Sequence, residues 1–244
     1  MPAGTQTVTR AFAVLGCFRE SQRDLGASDI ARLLDLSTST VHRLAQSLVE
    51  VGFLEQDVAS SRYRLGATLA EYGQLVYRQR RVHLAEPELR RLARRTRHVV
   101  ALAIRRGNDA VLITEATAST APHDVVGVAL PLHASAMGKV LLAWSPGIDL
   151  RSLDLTPRTE RTLTTVDALR AELERVRALG YALNDEELDP GIRTIAVPVG
   201  GDGDAPFALA VRGPSARITE ERIPVLVDQA TTAAARISGA LARP

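Results

Sequence analysis

The sequence is most informative at Ser37-Thr38-Ser39-Thr40-Val41-His42-Arg43-Leu44, where a run of hydroxyl side chains precedes an apolar stripe. Serine and threonine at a helix start accept hydrogen bonds from backbone N–H groups that have no partner inside the helix. The pattern therefore predicts a helix that begins in this hydroxyl run and continues to about Val51. Its buried stripe is expected to comprise Val41, Leu44, Ala45 and Leu48.

Two further helices are predicted upstream. An amphipathic pattern covers 7–18, and its apolar residues recur at helical spacing: Ala11, Val14, Leu15 and Phe18. Ser28 and Asp29 are expected to cap a short helix that ends near Leu34. Asp35 follows, and aspartate tolerates the left-handed conformation that a tight turn requires. Two short helices joined by a brief turn are typical of a helix-turn-helix.

A hairpin is predicted after these helices. Residues 52–57 and 62–66 have the pattern of two short strands, joined by the polar turn 58–61. Arg62 and Arg64 lie on the second strand, where they suit contact with phosphate. Helix, helix and hairpin in this order indicate a winged helix-turn-helix. The alternative is an ordinary small helical domain with a hairpin, whose polar faces are only solvated.

The exposed face of the second helix of this motif carries side chains that suit double-stranded DNA. Short hydroxyls can contact phosphates, whereas arginine and glutamine can reach base edges in the major groove. The predicted DNA-binding residues, including the two arginines of the hairpin, are Ser37, Thr38, Ser39, Thr40, His42, Arg43, Gln46, Arg62 and Arg64.

The rest of the chain predicts an α+β domain, because its strands and helices do not alternate one for one as in a doubly wound fold. A helix is expected from Ala67 to about Arg81 and another over 88–97. Strong strand patterns flank the turn 107–109. Later segments predict a helix over 134–143, a helix from Thr165 to Leu179, strands over 181–184, 192–199 and 207–211, a connection at 200–204, and a long helix from Thr219 to Leu241 capped by Thr219.

Composition excludes several classes of protein. The 244 residues include 30 Lys and Arg against 28 Asp and Glu, so total charge neither supports nor excludes nucleic-acid binding. No apolar run is long enough to span a membrane and no export signal is visible, so the expected compartment is the cytoplasm. A single cysteine, Cys17, excludes an internal disulfide framework and a multi-cysteine zinc site.

No catalytic residue, metal site or cofactor is predicted. No pair of histidines has zinc-site spacing with a nearby glutamate. His133 and Ser135 are close in sequence, but nucleophilic catalysis needs a geometry that spacing alone does not provide. His133 and Cys17 both fit structural roles. An enzyme and an architectural DNA-binding protein without a ligand stay open as alternatives.

Several stretches resemble the IclR family of bacterial transcriptional regulators. In the first third of the chain they are Thr7-Val8-Thr9-Arg10-Ala11, Ser37 to Leu44, Gly52-Phe53-Leu54 and Tyr63-Arg64-Leu65-Gly66. Further on they are Leu130 to Lys139, Gly180-Tyr181 with Glu186-Glu187 and Gly191, Ile195 to Val199, and Gly213-Pro214. The resemblance covers nearly the whole chain.

This resemblance implies a winged helix-turn-helix domain over 1–66, a linker helix over 67–85, and a GAF-like effector-binding domain with a curved antiparallel sheet over 86–244. It implies a homodimer or a dimer of dimers on a roughly palindromic operator, because two-fold symmetry in the protein imposes symmetry on the DNA site. A small-molecule effector, favoured here as a carboxylate or aromatic acid, would modulate operator binding.

The resemblance also implies an effector pocket between the sheet and the segment 133–138. The implied pocket residues are Leu130, Ala136, Met137, Asn184, Ile192, Thr194, Ala210 and Arg212. Arg212 follows the strand 207–211 and shares a face with Ala208 and Ala210 by alternation, so it could clamp a carboxylate. The alternative for Arg212 is a solvated position on an edge strand.

Two other polar residues of this region keep two interpretations each. Thr194 fits a structural role as well as it fits ligand contact. Lys139, the only lysine of the chain, is expected on the surface of a helix. The alternative for Lys139 is a buried partner among Asp185, Glu186 and Glu187.

Overall fold

The computed structural model describes residues 3–19, 21, 23–118, 126–145, 147–200 and 205–242. The chain divides into two compact units, Met1–Gln79 and Arg80–Pro244, and each has a buried apolar cluster of its own. Most of the connection predicted at 200–204 lies outside the described residues, as does His123. The domain boundaries at 66 and 85 stay predictions.

The first unit combines helices with a short hairpin. Its elements are α1 (Ala3–Gly16), α2 (Ala27–Leu34), α3 (Thr38–Glu50), β1 (Leu54–Gln56), β2 (Tyr63–Leu65) and α4 (Ala67–Gln79). Side chains of α1, α2, α3 and the hairpin meet in one core, which includes Val14, Ile30, Val41 and Leu54. The antiparallel strands β1 and β2 form the wing, so the predicted order of helix, helix and hairpin is confirmed.

The helix ends in this unit follow local rules, with one exception. Ser37 caps α3 as predicted, and Asp35 adopts the predicted left-handed conformation with φ 51°. The predicted cap of α2 is wrong, because Gly26 occupies that position and Ser28 lies inside the first turn. The Asp29 carboxylate instead accepts a hydrogen bond from the Gly26 N–H at 3.1 Å.

Helix α4 follows the wing directly and ends sooner than predicted. A Cβ atom at Gly66 would clash with the carbonyl of Gly52, so glycine permits the close approach of two backbone segments there. The helix ends at Gln79, whereas the pattern predicted its end at about Arg81 and the resemblance implied a linker helix to 85. Arg81, with φ 56°, interrupts the helix, and Val82–Leu84 forms a separate 3-10 turn.

The second unit is an α+β domain. Its elements are α5 (Glu86–Thr96), β3 (Val99–Arg106), β4 (Asp109–Ala116), β5 (Ala129–Pro131), α6 (Ala136–Ala143), α7 (Val166–Leu179), β6 (Ala182–Asp185), β7 (Ile192–Val199), β8 (Phe207–Pro214) and α8 (Ile223–Ala242). Within the described residues, the strands form one antiparallel sheet in the order β5-β4-β3-β8-β7-β6. The predicted fold class is confirmed.

The two faces of this sheet carry side chains of different size. Alanines line the face toward α6 and α7, including Ala101 and Ala103 of β3 and Ala208 and Ala210 of β8. By alternation, larger residues such as Leu102 occupy the other face, where α5 and α8 pack. Small side chains under α6 leave space that leucine or valine would fill.

Several element ends differ from the predictions. Strand β8 continues to Pro214, so Arg212 lies inside it, paired with Val99 of β3 and Thr194 of β7. The edge-strand interpretation of Arg212 is therefore wrong. Helix α8 begins at Ile223 after the 3-10 turn Glu220–Arg222, and no capping hydrogen bond from Thr219 is found within the described chain. Helix α6 begins at Ala136, just beyond its Ser135 cap.

Candidate functional site

The start of α3 presents a cluster of hydroxyls at the surface of the first unit. The Ser37 Oγ accepts a hydrogen bond from the Thr40 backbone N–H at 3.3 Å. It also lies 2.7 Å from the Thr40 Oγ1 and 3.2 Å from the Ser39 Oγ. Ser37, Thr38 and Ser39 are exposed, whereas Thr40 is half-buried. These predicted DNA-binding residues therefore lie together at one accessible helix end.

Arg43 is the predicted base-reading residue with the freest side chain. It lies one turn into α3 on the exposed face. No hydrogen bond or ion pair of its guanidinium occurs among the described residues. The five N–H donors of this group are therefore available for an external acceptor such as a base edge or phosphate.

His42 and Gln46 lie beside Arg43 on α3, but both contact the wing. The His42 Nδ1 is 2.8 Å from the Tyr63 hydroxyl. The Gln46 Nε2 donates to the Gln56 Oε1 at 2.8 Å. If His42 and Gln46 contact DNA as predicted, they must therefore use polar atoms that these internal hydrogen bonds do not occupy.

The two wing arginines are held by carboxylates of their own unit. Arg62 donates through Nη2 to Asp29 at 2.7 Å and through Nε to the Asp24 carbonyl at 3.0 Å. Arg64 donates to Glu55 on the facing wing strand at 2.9 Å. Backbone hydrogen bonding from Gly26 lowers the pKa of Asp29, and Arg62 adds to that effect. Arg62 therefore also joins the wing to α2, a role that the sequence did not reveal.

The second unit contains a cavity of about 260 Å³ beneath the start of α6. Its walls come from β3, β4, β6, β7, β8 and α6, from the segment 128–130, and from the loop that follows β6. The pocket residues predicted from the resemblance that do line it are Leu130, Ala136, Met137, Asn184, Thr194, Ala210 and Arg212. Alternation along β8 therefore pointed to the correct face for Arg212.

Ile192 is the exception among the predicted pocket residues, because it is not among those that line the cavity. It begins β7 and pairs with Pro214 at the end of β8. Thr194 on the same face of β7 does line the cavity, and Ile192 lies about 6.6 Å further along the strand. Ile192 therefore does not line this cavity, and its role in effector binding stays a prediction.

Charged groups of both signs surround the cavity. The Arg212 Nη2 lies 3.1 Å from the Asp189 Oδ2, and both side chains are close to half exposed. Glu115 of β4 also lines the cavity. Neither carboxylate was predicted as a pocket residue, because strand register and the path of the loop after β6 bring them to the site.

The wall formed by α6 depends on tight backbone packing. Ser135 caps the helix by accepting from the Gly138 N–H at 3.1 Å, and its hydroxyl donates to the Pro131 carbonyl at 2.8 Å. A Cβ atom at Gly138 would clash with the backbone of Leu132. Asn184 donates to the Ala134 carbonyl, which ties β6 to the segment before α6. These contacts set the position of the first turn of α6 against the cavity.

Lys139 is buried behind this wall, so the helix-surface interpretation is wrong. Its Nζ is 2.5 Å from the Glu187 carboxylate, 3.1 Å from the Glu172 carboxylate and 3.1 Å from the Leu183 carbonyl. The alternative of a buried partner is confirmed for Glu187. Burial raises the pKa of Glu187, and Lys139 opposes that shift. The ion pairs join α6 to α7 and to the loop whose next residues line the cavity.

His133 and Cys17 both lie in internal surroundings. The buried His133 ring donates from Nε2 to the Thr156 carbonyl at 3.1 Å, and burial lowers its pKa. Cys17 is half-buried beside the core of the first unit. Across the described residues, no cluster of histidine, cysteine and carboxylate side chains could hold a metal ion. No helix in that part of the chain is long and apolar enough to cross a membrane.

Two known family domains match this chain. The IclR helix-turn-helix domain matches residues 7–58. The C-terminal domain of bacterial transcriptional regulators of the IclR type matches residues 74–239, which is more than half of the chain. The chain therefore belongs to the IclR family of bacterial transcriptional regulators.

Individual relatives support this assignment over nearly the whole length. The HTH-type transcriptional regulator XynR of Escherichia coli is 34% identical over 251 residues, with 98% of each chain covered. An IclR regulator structure from a Silicibacter species has a TM-score of 0.84 at 26% identity, covering 98% of this chain and 97% of that one. An IclR homologue from Microbacterium hydrocarbonoxydans, complexed with 4-hydroxybenzoate, has a TM-score of 0.81 at 29% identity, covering 96% and 98%.

These findings define the protein as a transcriptional regulator with a DNA-binding helix-turn-helix domain and a C-terminal effector domain. The helix-turn-helix corresponds to α2 and α3 with their exposed polar face. The effector domain contains the cavity under α6. The roles of individual residues stay predictions.

Proposed function

We propose that this protein binds a specific, roughly palindromic operator through α3 and the wing, and that a small acid in the cavity modulates this binding. The observation that carries the proposal is the cavity itself, where Arg212 faces a floor of alanines under the first turn of α6. A guanidinium can hold a carboxylate through two parallel hydrogen bonds. The DNA contacts proposed are the exposed residues of α3, with Arg43 as the principal base reader.

The ion pair between Arg212 and Asp189 refines the proposed effector. A ligand carboxylate that reaches Arg212 must share it with Asp189 or displace Asp189 from it. Asp189 and Glu115 can then accept hydrogen bonds from a donor group elsewhere on the same ligand. A small carboxylic acid that also carries a hydroxyl group satisfies both sets of residues. The Microbacterium relative binds such a molecule, 4-hydroxybenzoate, in its crystal structure.

Two helices of the first unit expose apolar side chains that are candidate contacts for the proposed homodimer or dimer of dimers. Helix α1 exposes Val8 and Phe12, and α4 exposes Tyr72, Leu75 and Val76. Exposed apolar side chains grouped on two helices favour association with another copy. Phe12→Ser with Leu75→Ser should therefore weaken self-association in sedimentation velocity. Val225→Ser on α8 removes a similarly exposed single side chain and should leave association unchanged.

The effector proposal is tested by a thermal-shift screen, because a ligand that binds only the folded state raises the melting temperature. The first probes are 4-hydroxybenzoate, benzoate and short hydroxy acids. Arg212→Ala should abolish both the shift and the effect of the acid on operator binding, and it should leave effector-free operator binding near normal. Arg170→Ala, an exposed arginine of α7, is the matched control.

Calorimetry decides whether Arg212 carries the interaction. Full affinity of the variant for an acid that binds the wild-type chain would show that Arg212 does not hold the carboxylate. Asn184 and Thr194 would then be the candidate ligand contacts. Sequence-specific DNA binding that no small molecule changes would indicate an architectural DNA-binding protein instead. Since the proposed partner is DNA, the proposed compartment is the cytoplasm.

A further inference from the structure

A chain of hydrogen bonds runs from the wing to the exposed face of α3, and one main-chain carbonyl sets its direction. The Gln56 Nε2 donates to the Ser61 carbonyl at 3.1 Å. A carbonyl oxygen can only accept, so the amide nitrogen of Gln56 must face Ser61. The Gln56 Oε1 then faces α3 as an acceptor. This first hydrogen bond therefore constrains the direction of the hydrogen bonds that follow it.

Gln46 uses its amide nitrogen twice. Its Nε2 donates to the Gln56 Oε1 at 2.8 Å and to the Tyr63 hydroxyl oxygen at 3.4 Å. A primary amide carries two N–H donors, so both donors of Gln46 are consumed inside the protein. Its Oε1 accepts no hydrogen bond from any described residue. Toward DNA, Gln46 is therefore an acceptor only.

Tyr63 connects Gln46 to His42 in this series of hydrogen bonds. Its side chain is fully buried, and its backbone is bonded to Leu25 by two hydrogen bonds of 2.8 and 3.0 Å. A tyrosine hydroxyl has a single proton. The Gln46 Nε2 can only donate, so among the described residues the His42 Nδ1 at 2.8 Å is the acceptor available to this buried proton. The exposed His42 ring must then carry its own proton on Nε2, on the side away from Tyr63.

We propose that Tyr63 is a specificity-determining positioning residue, which presents His42 to DNA as an Nε2–H donor and leaves Gln46 as an acceptor. The inference rests on the proposed role of α3 as the DNA-reading helix. His42 can then donate to a purine N7, a guanine O6, a thymine O4 or a phosphate. Gln46 can accept from the amino group of adenine or cytosine. The two-bond pairing of glutamine with adenine, which also needs a glutamine donor, is excluded.

The tautomer is measured first, in the full-length protein without DNA. Two-bond nitrogen–proton correlation spectra of the ¹⁵N-histidine-labelled chain at about pH 8.5, where ordinary imidazoles are neutral, distinguish the two tautomers. His42→Asn assigns the signals. The expected result is the Nε2–H form in the wild-type chain and a mixture of both forms in Tyr63→Phe. Tyr72→Phe, which removes an exposed hydroxyl without a described hydrogen bond, should leave the His42 signals unchanged.

An Nδ1–H tautomer of His42 in the wild-type protein would overturn the inference, as would signals that Tyr63→Phe does not alter. This measurement needs neither an operator nor an effector. Its main outcome needs only the wild-type chain and the His42→Asn variant that assigns the signals, so it stands even where Tyr63→Phe lowers stability. It therefore tests the hydrogen-bond chain independently of the proposed function.

The consequence for DNA is tested by selection from a random double-stranded library. Tyr63→Phe should bind the wild-type operator on the order of fivefold more weakly, because His42 and Gln46 lose fixed hydrogen bonds. Its own selected site should change at the base pairs under those two residues and stay the same under Arg43. An unchanged selected DNA site and an unchanged operator affinity would overturn this inference but not the proposed function. Failure of the wild-type protein to enrich any site would overturn the proposed function, whatever the tautomer measurement shows.

Discussion

Helices α3 and α6 begin in the same way and end up in opposite surroundings. Ser37 caps the first and Ser135 the second, each by accepting a hydrogen bond from a backbone N–H three residues on. Helix α3 buries one stripe and leaves its start exposed, whereas every residue of α6 is buried. A cap determines where a helix begins, but burial determines whether its first turn can meet a macromolecule or only a small enclosed ligand.

The cations of the two helices show the same contrast. Arg43 of α3 is solvated and has no ionic partner among the described residues, so it is free to bind DNA. Lys139 of α6 has two carboxylates and a carbonyl around it, because a charge removed from water must be paired. A cation of the DNA-binding helix is therefore available to an external partner, and the cation of the cavity helix is committed to the fold.

The largest effect is expected from replacing Lys139, the buried cation of this comparison. Lys139→Met leaves Glu172 and Glu187 facing each other without their shared cation. Removing one member of a buried ion pair costs about 3–5 kcal/mol, so urea titration should show a loss of that order in the free energy of unfolding. Arg170→Ala breaks an exposed pair and should cost about 0.5 kcal/mol or less. Equal costs for the two variants would contradict the contrast.

Arg43→Ala tests the exposed half. The substitution should weaken operator binding by about 1–3 kcal/mol if Arg43 reads a base, and it should leave the free energy of unfolding unchanged. Fluorescence anisotropy at several salt concentrations measures the affinity, with Arg170→Ala again as the control. Undiminished affinity for the operator would remove Arg43 from the reading surface.

Alanine substitution of the two caps compares the helix starts directly. Ser135→Ala should cost about 1–2 kcal/mol, because the buried hydroxyl caps α6 and also donates to Pro131. Ser37→Ala should cost about 0.5–1 kcal/mol, because water can replace its exposed hydroxyl. Urea titration of both variants measures the difference. A larger loss at Ser37 would show that burial does not set the cost of the cap.

The smallest expected effect is a loss of folding stability at acidic pH. Burial lowers the pKa of His98 and of His133, both in the second unit. The unfolded chain therefore binds protons below about pH 6.5 that the folded unit does not, so stability is complete above that pH and declines as the pH falls below it. Urea titrations between about pH 7.5 and 5.5 measure the slope. His133→Gln, which keeps a donor for the Thr156 carbonyl, should flatten it; an unaltered slope would exclude His133 as a source.

Several features were predictable because their causes lie within a few residues. Ser37 bonds to Thr40, Asp35 sits in a tight turn, and Gly180 ends α7 in a left-handed conformation with φ 78°. Alternation along β8 also placed Arg212 on the cavity face. The cap of α2 was missed although it is local, because Ser28 and Gly26 are both acceptable cap residues and Asp29 can serve from inside the first turn.

The sequence by itself determined the fold class, the helix-turn-helix with its wing, the apolar stripes and most of the cavity face, since these depend on short-range periodicity, turn chemistry and family resemblance. Only the tertiary structure decided which polar groups form hydrogen bonds or ion pairs inside the protein. Lys139 meets Glu187 across 48 residues, and His42 meets Tyr63 across 21. Hydrogen bonds and ion pairs act over a few ångströms, so their partners are known only after the chain has brought distant residues together.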